Sequence, residues 1–249
     1  MPVPTKQRDL IDPSALRVLI TGYGPFRGFP VNPSWLAVKP LHNRTIHSLN
    51  AHPRPVHITA LQLPTSYAAV LAAAPGIHAR PPALPKSLDP SCVPAPPPRG
   101  GYDLVLHVGV AGPGAMRVEQ RGRKHGYNSP DADDELCPVA LDGAPPVRGF
   151  GKGYEEFPDE MYTPVDCAKL IEYLKDMGIS DVVPSSNAGL YLCEFITYGS
   201  LAEAERAAAQ GKKETPVLFI HIPPVEQPLS TEYCTEALRR TISWICSQW

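Results

Sequence analysis

No stretch of this chain approaches the ~20 consecutive apolar residues that a membrane-spanning helix requires. The first residues, 1–12, hold Lys6, Arg8, Asp9 and Asp12 and have no apolar run of the kind a secretion signal carries. Both absences give the expectation of a cytoplasmic protein with no membrane partner. The six cysteines, at 92, 137, 167, 193, 234 and 246, contain no CxxC pair, and none sits beside a pair of histidines. A structural zinc site is therefore not expected, and the cysteines read as free thiols of a reducing compartment. Charge of one sign is also missing. With 23 basic and 25 acidic residues the formal net charge is −2, so there is no electrostatic footprint for nucleic acid. The chain has neither GxGxxG nor a P-loop, and no internal repeat.

Proline, by contrast, is abundant: 31 in 249 residues, well above the usual ~5%. The prolines cluster. Residues 79–101 form a proline-rich segment that can serve neither as core helix nor as central strand, because proline fixes φ and lacks the N–H a ladder needs. It reads as a surface insertion, extended or disordered. A second segment rich in Pro and Gly spans about 129–163.

Between these stretches, strand and helix patterns alternate. Leu16 to Thr21, Val56 to Leu63, Tyr102 to Val110, Asp181 to Pro184 and Pro216 to Ile222 read as strands, with a short one from Met116 to Arg121. Helices are expected from Ser34, which would act as the cap, over Ser66 to Ala74, Val165 to Met177 and Leu190 to Gln210, and from Thr231 to Trp249. The alternation predicts a single α/β domain over residues 1–249, a three-layer α/β/α arrangement around a mostly parallel central sheet that leaves room for mixed pairing.

Three residues invite chemistry. Cys193 falls in the first turns of a helix that follows a glycine-bearing loop, a place that favours a thiolate; the alternative is a small buried hydrophobe. His221 ends an apolar strand, where α/β folds place ligands, and reads equally as a satisfied core histidine. Glu119 follows the third main strand, and its own segment favours a surface carboxylate paired with Arg117 or Arg121. Together they supply a thiolate nucleophile, an imidazole to stabilise it and protonate a leaving amine, and a carboxylate to orient the imidazole.

Five ordered segments resemble the pyroglutamyl-peptidase I family of cysteine peptidases. Val18-Leu19-Ile20-Thr21-Gly22-Tyr23-Gly24-Pro25-Phe26, continuing to Asn32-Pro33-Ser34-Trp35, is similar to that family's VTGFGPF…NPSW signature. Leu63-Pro64-Thr65-Ser66-Tyr67, His107-Val108-Gly109-Val110-Ala111-Gly112 with Glu119, Asn187 to Cys193 with Tyr198-Gly199, and Phe219-Ile220-His221-Ile222-Pro223 follow in the family's order. A helical stretch before Gly178 adds a weaker sixth match, and the whole runs from residue 17 to about 228.

The resemblance implies Cys193 as nucleophile, His221 as general acid/base and Glu119 as its orienting carboxylate. It implies a lactam pocket walled by Tyr23 and Phe26 and completed by Thr65, Tyr191 and Leu192. It further implies peptide substrates with N-terminal pyroglutamate and no cofactor or metal, and leaves homo-oligomerisation open. One departure stands out. The family carries an Arg about ten residues past its glutamate, thought to help stabilise the oxyanion, and counting from Glu119 reaches Ser129. Tyr23 also stands where Phe is usual. A catalytically weak relative that only binds pyroglutamyl-like N-termini is therefore the rival reading. A phosphate site at Gly22-Tyr23-Gly24-Pro25 ranks below it, since Pro25 removes an N–H such a loop would use.

Overall fold

Strands and helices alternate along the chain from Leu16 to Ile245. The computed structural model describes residues 11–248; residues 1–10, on which most of the secretion-signal reading rests, and Trp249 lie outside the described residues. In chain order the elements are β1 (Leu16–Tyr23), α1 (Pro33–Val38), β2 (Thr45–His47), β3 (Pro55–Leu63), α2 (Tyr67–His78), β4 (Leu104–Val110), β5 (Met116–Glu119) and β6 (Arg121–Arg123). These are followed by β7 (Val139–Leu141), β8 (Val147–Arg148), β9 (Glu160–Tyr162), α3 (Cys167–Asp176), β10 (Val182–Ser185), α4 (Leu192–Ala209), β11 (Val217–Ile222) and α5 (Thr231–Ile245).

The main sheet has seven strands in the order β10-β5-β11-β4-β1-β3-β2. Pairing is parallel from β3 through β1 and β4 to β11, and again between β5 and β10. It is antiparallel between β5 and β11 and at the β2 edge, so the sheet is mixed. Two small two-stranded pairs, β6-β9 and β7-β8, stand outside it.

Period-two alternation sends successive side chains to opposite faces. On one face Val18 and Ile20 of β1, Leu104, Leu106 and Val108 of β4, and Leu218 and Ile220 of β11 pack against α1, α3 and α5. On the other, Leu19, Leu61, Val105 and Phe219 pack with α2 and α4. Because Phe219 points to the α2/α4 face, so does His221 two residues on, and with it Gly109 of β4, its register partner. The fold is thus a three-layer α/β/α sandwich, and the candidate catalytic side chains share one of its faces.

Local structure departs from sequence expectation at the start of α1, and two further places are fixed by partners distant in sequence. Asn32, not Ser34, caps α1: its side chain accepts from Ser34 N–H at 3.0 Å, because Pro33 takes the first helical position and the cap must precede it. Ser34 instead accepts the Tyr23 N–H on its hydroxyl at 3.1 Å and ties α1 to the end of β1. The proline-rich segment has no helix or strand but is held along its length. Leu88 N–H donates to Gln62 O at 3.1 Å, Asp89 accepts from Trp35 Nε1 at 3.1 Å and pairs with Lys39, and Cys92 joins the core. Helix α2 has no side-chain cap of its own from Ser66; Asp131 from the distant Pro/Gly-rich region accepts the Tyr67 N–H at 2.9 Å.

A polar layer is sealed into the α2/α4 face. His107 Nδ1 pairs with Thr21 Oγ1 at 2.8 Å, and His78 Nε2 with Ser200 Oγ at 2.7 Å. Burial pushes both imidazoles down to about 3, assisted for His78 by the neighbouring His107 and Arg80. The folded chain therefore refuses protons that the unfolded chain accepts below the ordinary value of 6.5. Stability is fully held above that value and is lost as pH falls from about 6.5 towards about 3. Each such group removes at most ~1.4 kcal/mol per pH unit across that window. Thermal unfolding followed from pH 7 to pH 5 is expected to show a falling midpoint, with a shallower fall in His78→Gln; equal slopes would show that His78 is not one of the groups responsible.

Candidate active site

A cleft of about 510 Å³ opens over the carboxyl ends of β4 and β11, and its lining includes Phe26, Arg27, Arg117, Ser129, Tyr191, Cys193 and His221. Each comes to it for a local reason. Cys193 is the second residue of α4. That helix begins two residues later than the apolar pattern suggested, because Leu190 has φ +49° and Tyr191 is extended. A leucine with positive φ is strained, and the strain is held from outside. Glu194, fully buried, accepts the Leu190 N–H at 2.9 Å and pairs with Arg123, whose Nη2 also reaches Asn187 Oδ1 at 2.6 Å. The Arg123–Glu194 pair, half-buried at its arginine and fully buried at its glutamate, thus clamps the loop that delivers Cys193. No side chain caps α4, so its first-turn N–H groups and its macrodipole favour negative charge where the sulfur sits.

Beneath that sulfur lies Gly109. A Cβ there would stand 2.7 Å from Cys193 Sγ and 2.7 Å from the Phe219 ring, so a bare glycine is what allows the thiol to sit on the sheet. Cys193 is the only one of the six cysteines that is not buried. The other five thiols are pushed up by burial, Cys137 and Cys246 to about 12 and Cys167 and Cys234 to about 11.

His221 lies on β11 with 5% of its surface exposed, and its Nδ1 donates to Glu119 Oε1 at 2.7 Å. Burial works against its charged form but is outweighed by the Cys193 sulfur, through both charge and a hydrogen bond, and by the Glu119 carboxyl; the imidazole is pushed up to about 9. The surface reading of Glu119 does not hold. It is 0% exposed, because β5 runs between β10 and β11 in the sheet interior, and Arg121 pairs with Glu160 instead. Glu119 holds His221, and His221 and Cys193 line the same cleft, the sulfur standing over Gly109, the register partner of His221.

The residues expected around a lactam ring divide into two groups. Phe26 and Tyr191 line the cleft, their rings 5.4 Å apart, with Tyr67 edge-on behind Tyr191 at 6.0 Å. Tyr23, Thr65 and Leu192 are buried behind that lining: Thr65 Oγ1 donates to Gly24 O at 3.3 Å, and Leu192 belongs to the core. The Tyr23 phenol is raised well above its ordinary value by burial and by the nearby Cys193, and its hydroxyl has no partner among the described residues. Ser129, which the count from Glu119 reaches, does line the cleft, as do two arginines, Arg27 and Arg117. Sequence reasoning weighed Arg117 only as a partner for Glu119. Its spacing of two from Glu119 on a strand, which puts both on one face, was the signal that could have found it.

No group of three or more His, Cys, Asp or Glu side chains among the described residues could hold a metal ion. A second cavity, of about 670 Å³ beside Lys39, His42, Arg44 and Cys92, has its Lys39 paired with Asp89 and its His42 engaged by Val93 O and Ala60 N, and brings no base to its thiol.

Residues 16–80 match the family model described as pyroglutamyl peptidase. The chain is 30% identical over 211 residues to the pyrrolidone-carboxylate peptidase of Erwinia tasmaniensis, covering 83% of this chain and 78% of that protein. It is 27% identical over 228 residues to pyroglutamyl-peptidase 1 of Homo sapiens, covering 90% and 87%. The crystal structure of pyroglutamyl peptidase I from Bacillus amyloliquefaciens superposes with a TM-score of 0.66 at 25% identity, covering 92% of this chain and 95% of that one.

Two outcomes follow from this geometry. If the working form carries a protonated His221, activity declines as pH rises through about 9. In Glu119→Gln, which removes a contact that raises the imidazole, a pH–rate profile will place that decline at lower pH; an unmoved limb would detach Glu119 from His221. Gly109→Ala is expected to cut activity ~10²-fold or more by displacing the sulfur, with a folded circular-dichroism spectrum retained.

Proposed function

Because this chain belongs to the pyroglutamyl peptidase family, we propose that it is a cysteine peptidase that hydrolyses the amide bond after an N-terminal pyroglutamyl residue of peptides. The observation that carries the reading is the Cys193–His221–Glu119 arrangement at an uncapped helix N-terminus, beside an aromatic-walled cleft. Cys193 attacks the pyroglutamyl carbonyl as the thiolate, and the first-turn N–H groups of α4 face the developing oxyanion. His221, held by Glu119, gives its proton to the leaving amine, and the peptide departs. The thioacyl enzyme is then hydrolysed by a water that His221 deprotonates, which restores the thiol pair. Phe26 and Tyr191 hold the flat, uncharged lactam between aromatic faces, with Tyr23, Thr65 and Leu192 supporting them from behind.

A binding-only relative is the second reading, favoured by a serine at position 129 where the family's arginine is expected by count. Loss of one oxyanion donor costs ~10²–10³ in rate, which weakens an enzyme without abolishing it. The described residues contain no helix long and apolar enough to cross a membrane. With all six cysteines free, we place the protein in the reducing cytoplasm.

The direct test is turnover of a pyroglutamyl amide with a fluorogenic leaving group. Wild type cleaves it, is inactivated by thiol alkylation and is indifferent to chelators, whereas Cys193→Ala loses at least ~10³-fold. Undiminished cleavage by Cys193→Ala would remove the peptidase reading. Stoichiometric, unprocessed ligand in calorimetry with wild type would establish binding alone.

A further inference from the structure

The cleft has two chemically different ends, and the sheet register tells them apart. Across the carboxyl edge of the sheet the order is β1, β4, β11, β5. Gly109 on β4, with the Cys193 sulfur above it, is the register partner of His221 on β11, and His221 is in turn the partner of Arg117 on β5. His221 therefore stands between the nucleophile and Arg117. The aromatic pair Phe26 and Tyr191 lies towards β1, on the other side of the sulfur, since Phe26 follows β1 by three residues.

A thiol peptidase places the acyl part of its substrate on the sulfur and the departing amine beside the imidazole that protonates it. On this sheet the acyl ring belongs over β1 and β4, and the peptide that leaves must pass over β11 towards β5. The group waiting there is Arg117. Its side chain is half-buried, lines the cleft, and has no ion pair or side-chain hydrogen bond among the described residues. None of the residues lining the cleft is acidic. Glu119, on the same face of β5, is committed to His221. A planar fork of N–H donors left without a carboxylate inside a cleft is built to accept one from outside.

We infer that Arg117 is a specificity-determining residue that selects a carboxylate on the departing peptide, just beyond the pyroglutamyl ring. Two sources supply that chemistry: an acidic side chain at the residue after pyroglutamate, and the C-terminal carboxylate of a pyroglutamyl dipeptide. The inference rests on the peptidase reading and adds to it a preference within that substrate class.

Three substrates separate the cases: pyroglutamyl-alanine amide, pyroglutamyl-aspartate amide and pyroglutamyl-alanine with a free carboxylate. In wild type at low salt one or both carboxylate-bearing substrates are cleaved with kcat/KM about five- to tenfold above the neutral amide, as suits a partly exposed charge-assisted contact. Whichever of the two gains identifies the source. The ratio shrinks as ionic strength rises, because partly exposed charges are screened. It falls to about one in Arg117→Gln, persists in part in Arg117→Lys, and inverts in favour of pyroglutamyl-lysine amide in Arg117→Glu. The salt series needs no variant, so it decides even if a substitution fails to fold. Wild-type turnover without a carboxylate preference, or an unchanged ratio in Arg117→Gln, overturns the role of Arg117 and leaves the peptidase reading standing. Absence of turnover on all the substrates overturns that reading and this inference with it.

Discussion

A fully buried carboxyl held 2.7 Å from a buried imidazole, Glu119 on His221, is the interaction on which the rest of the site depends. Neither group tolerates that environment alone. An ionised carboxylate or an imidazolium without water costs several kcal/mol, and removing one partner strands the other. The pair persists because the sheet holds both ends. β5 is antiparallel to β11 in a sheet whose other internal pairings are parallel, and this reversal sets Glu119 opposite Phe219 and Arg117 opposite His221. With β5 running the other way, the strand beginning at Met116 would offer different residues to the carboxyl edge. The mixed character of the sheet is thus a condition of the Glu119–His221 pair.

The sulfur is held by a second, independent set of constraints. Gly109 gives it room from below, the start of α4 gives it free N–H groups, and the Arg123–Glu194 pair fixes the strained turn at Leu190 from the side. Arg123 is contributed by β6, which pairs only with β9, outside the main sheet. A small flap therefore reaches across to hold the loop that leads to Cys193. The imidazole is set by the main sheet and the thiol by the helix and the flap, so their contact depends on how α4 packs on the sheet. The stacked Phe150–Phe195 rings, 4.1 Å apart, and Phe219 buried in the same cluster provide that packing.

The sheet strands and the long helices were legible in the sequence because apolar periodicity is strong there; β1, β3, β4 and β11 each deviate by at most a few residues from what their runs imply. Cys193 and His221 were legible as candidates from their places at a helix start and a strand end. Glu119 was not, because whether a carboxylate is buried depends on which strands flank it, and no local pattern carries strand order. Arg117 becomes visible only through Glu119, two residues on and on the same face of β5. Serine at position 34 has the chemistry of a cap, yet Pro33 shifts the helix start and hands the role to Asn32. The proline-rich segment, for which composition leaves extended and disordered forms open, is anchored at Gln62, Trp35 and Arg17, partners distant in sequence.

The distribution of charge along the cleft follows from where each strand ends. Towards β1 the cleft is walled by rings, with a rim arginine, Arg27, spread over the faces of Phe26 and Tyr191 at 4.9 and 5.4 Å from their centroids. A guanidinium on aromatic faces covers apolar surface and already has a partner in the ring quadrupoles. Towards β5 the guanidinium of Arg117 has no such partner among the described residues. The two arginines are equal in formal charge and differ in what remains unsatisfied. The β1 end is walled by aromatic rings, whereas the β5 end presents guanidinium donors with no carboxylate among the cleft's lining residues. On the function proposed above, Arg117 lies along the path of the departing peptide, which puts substrate discrimination in the product half of the cleft.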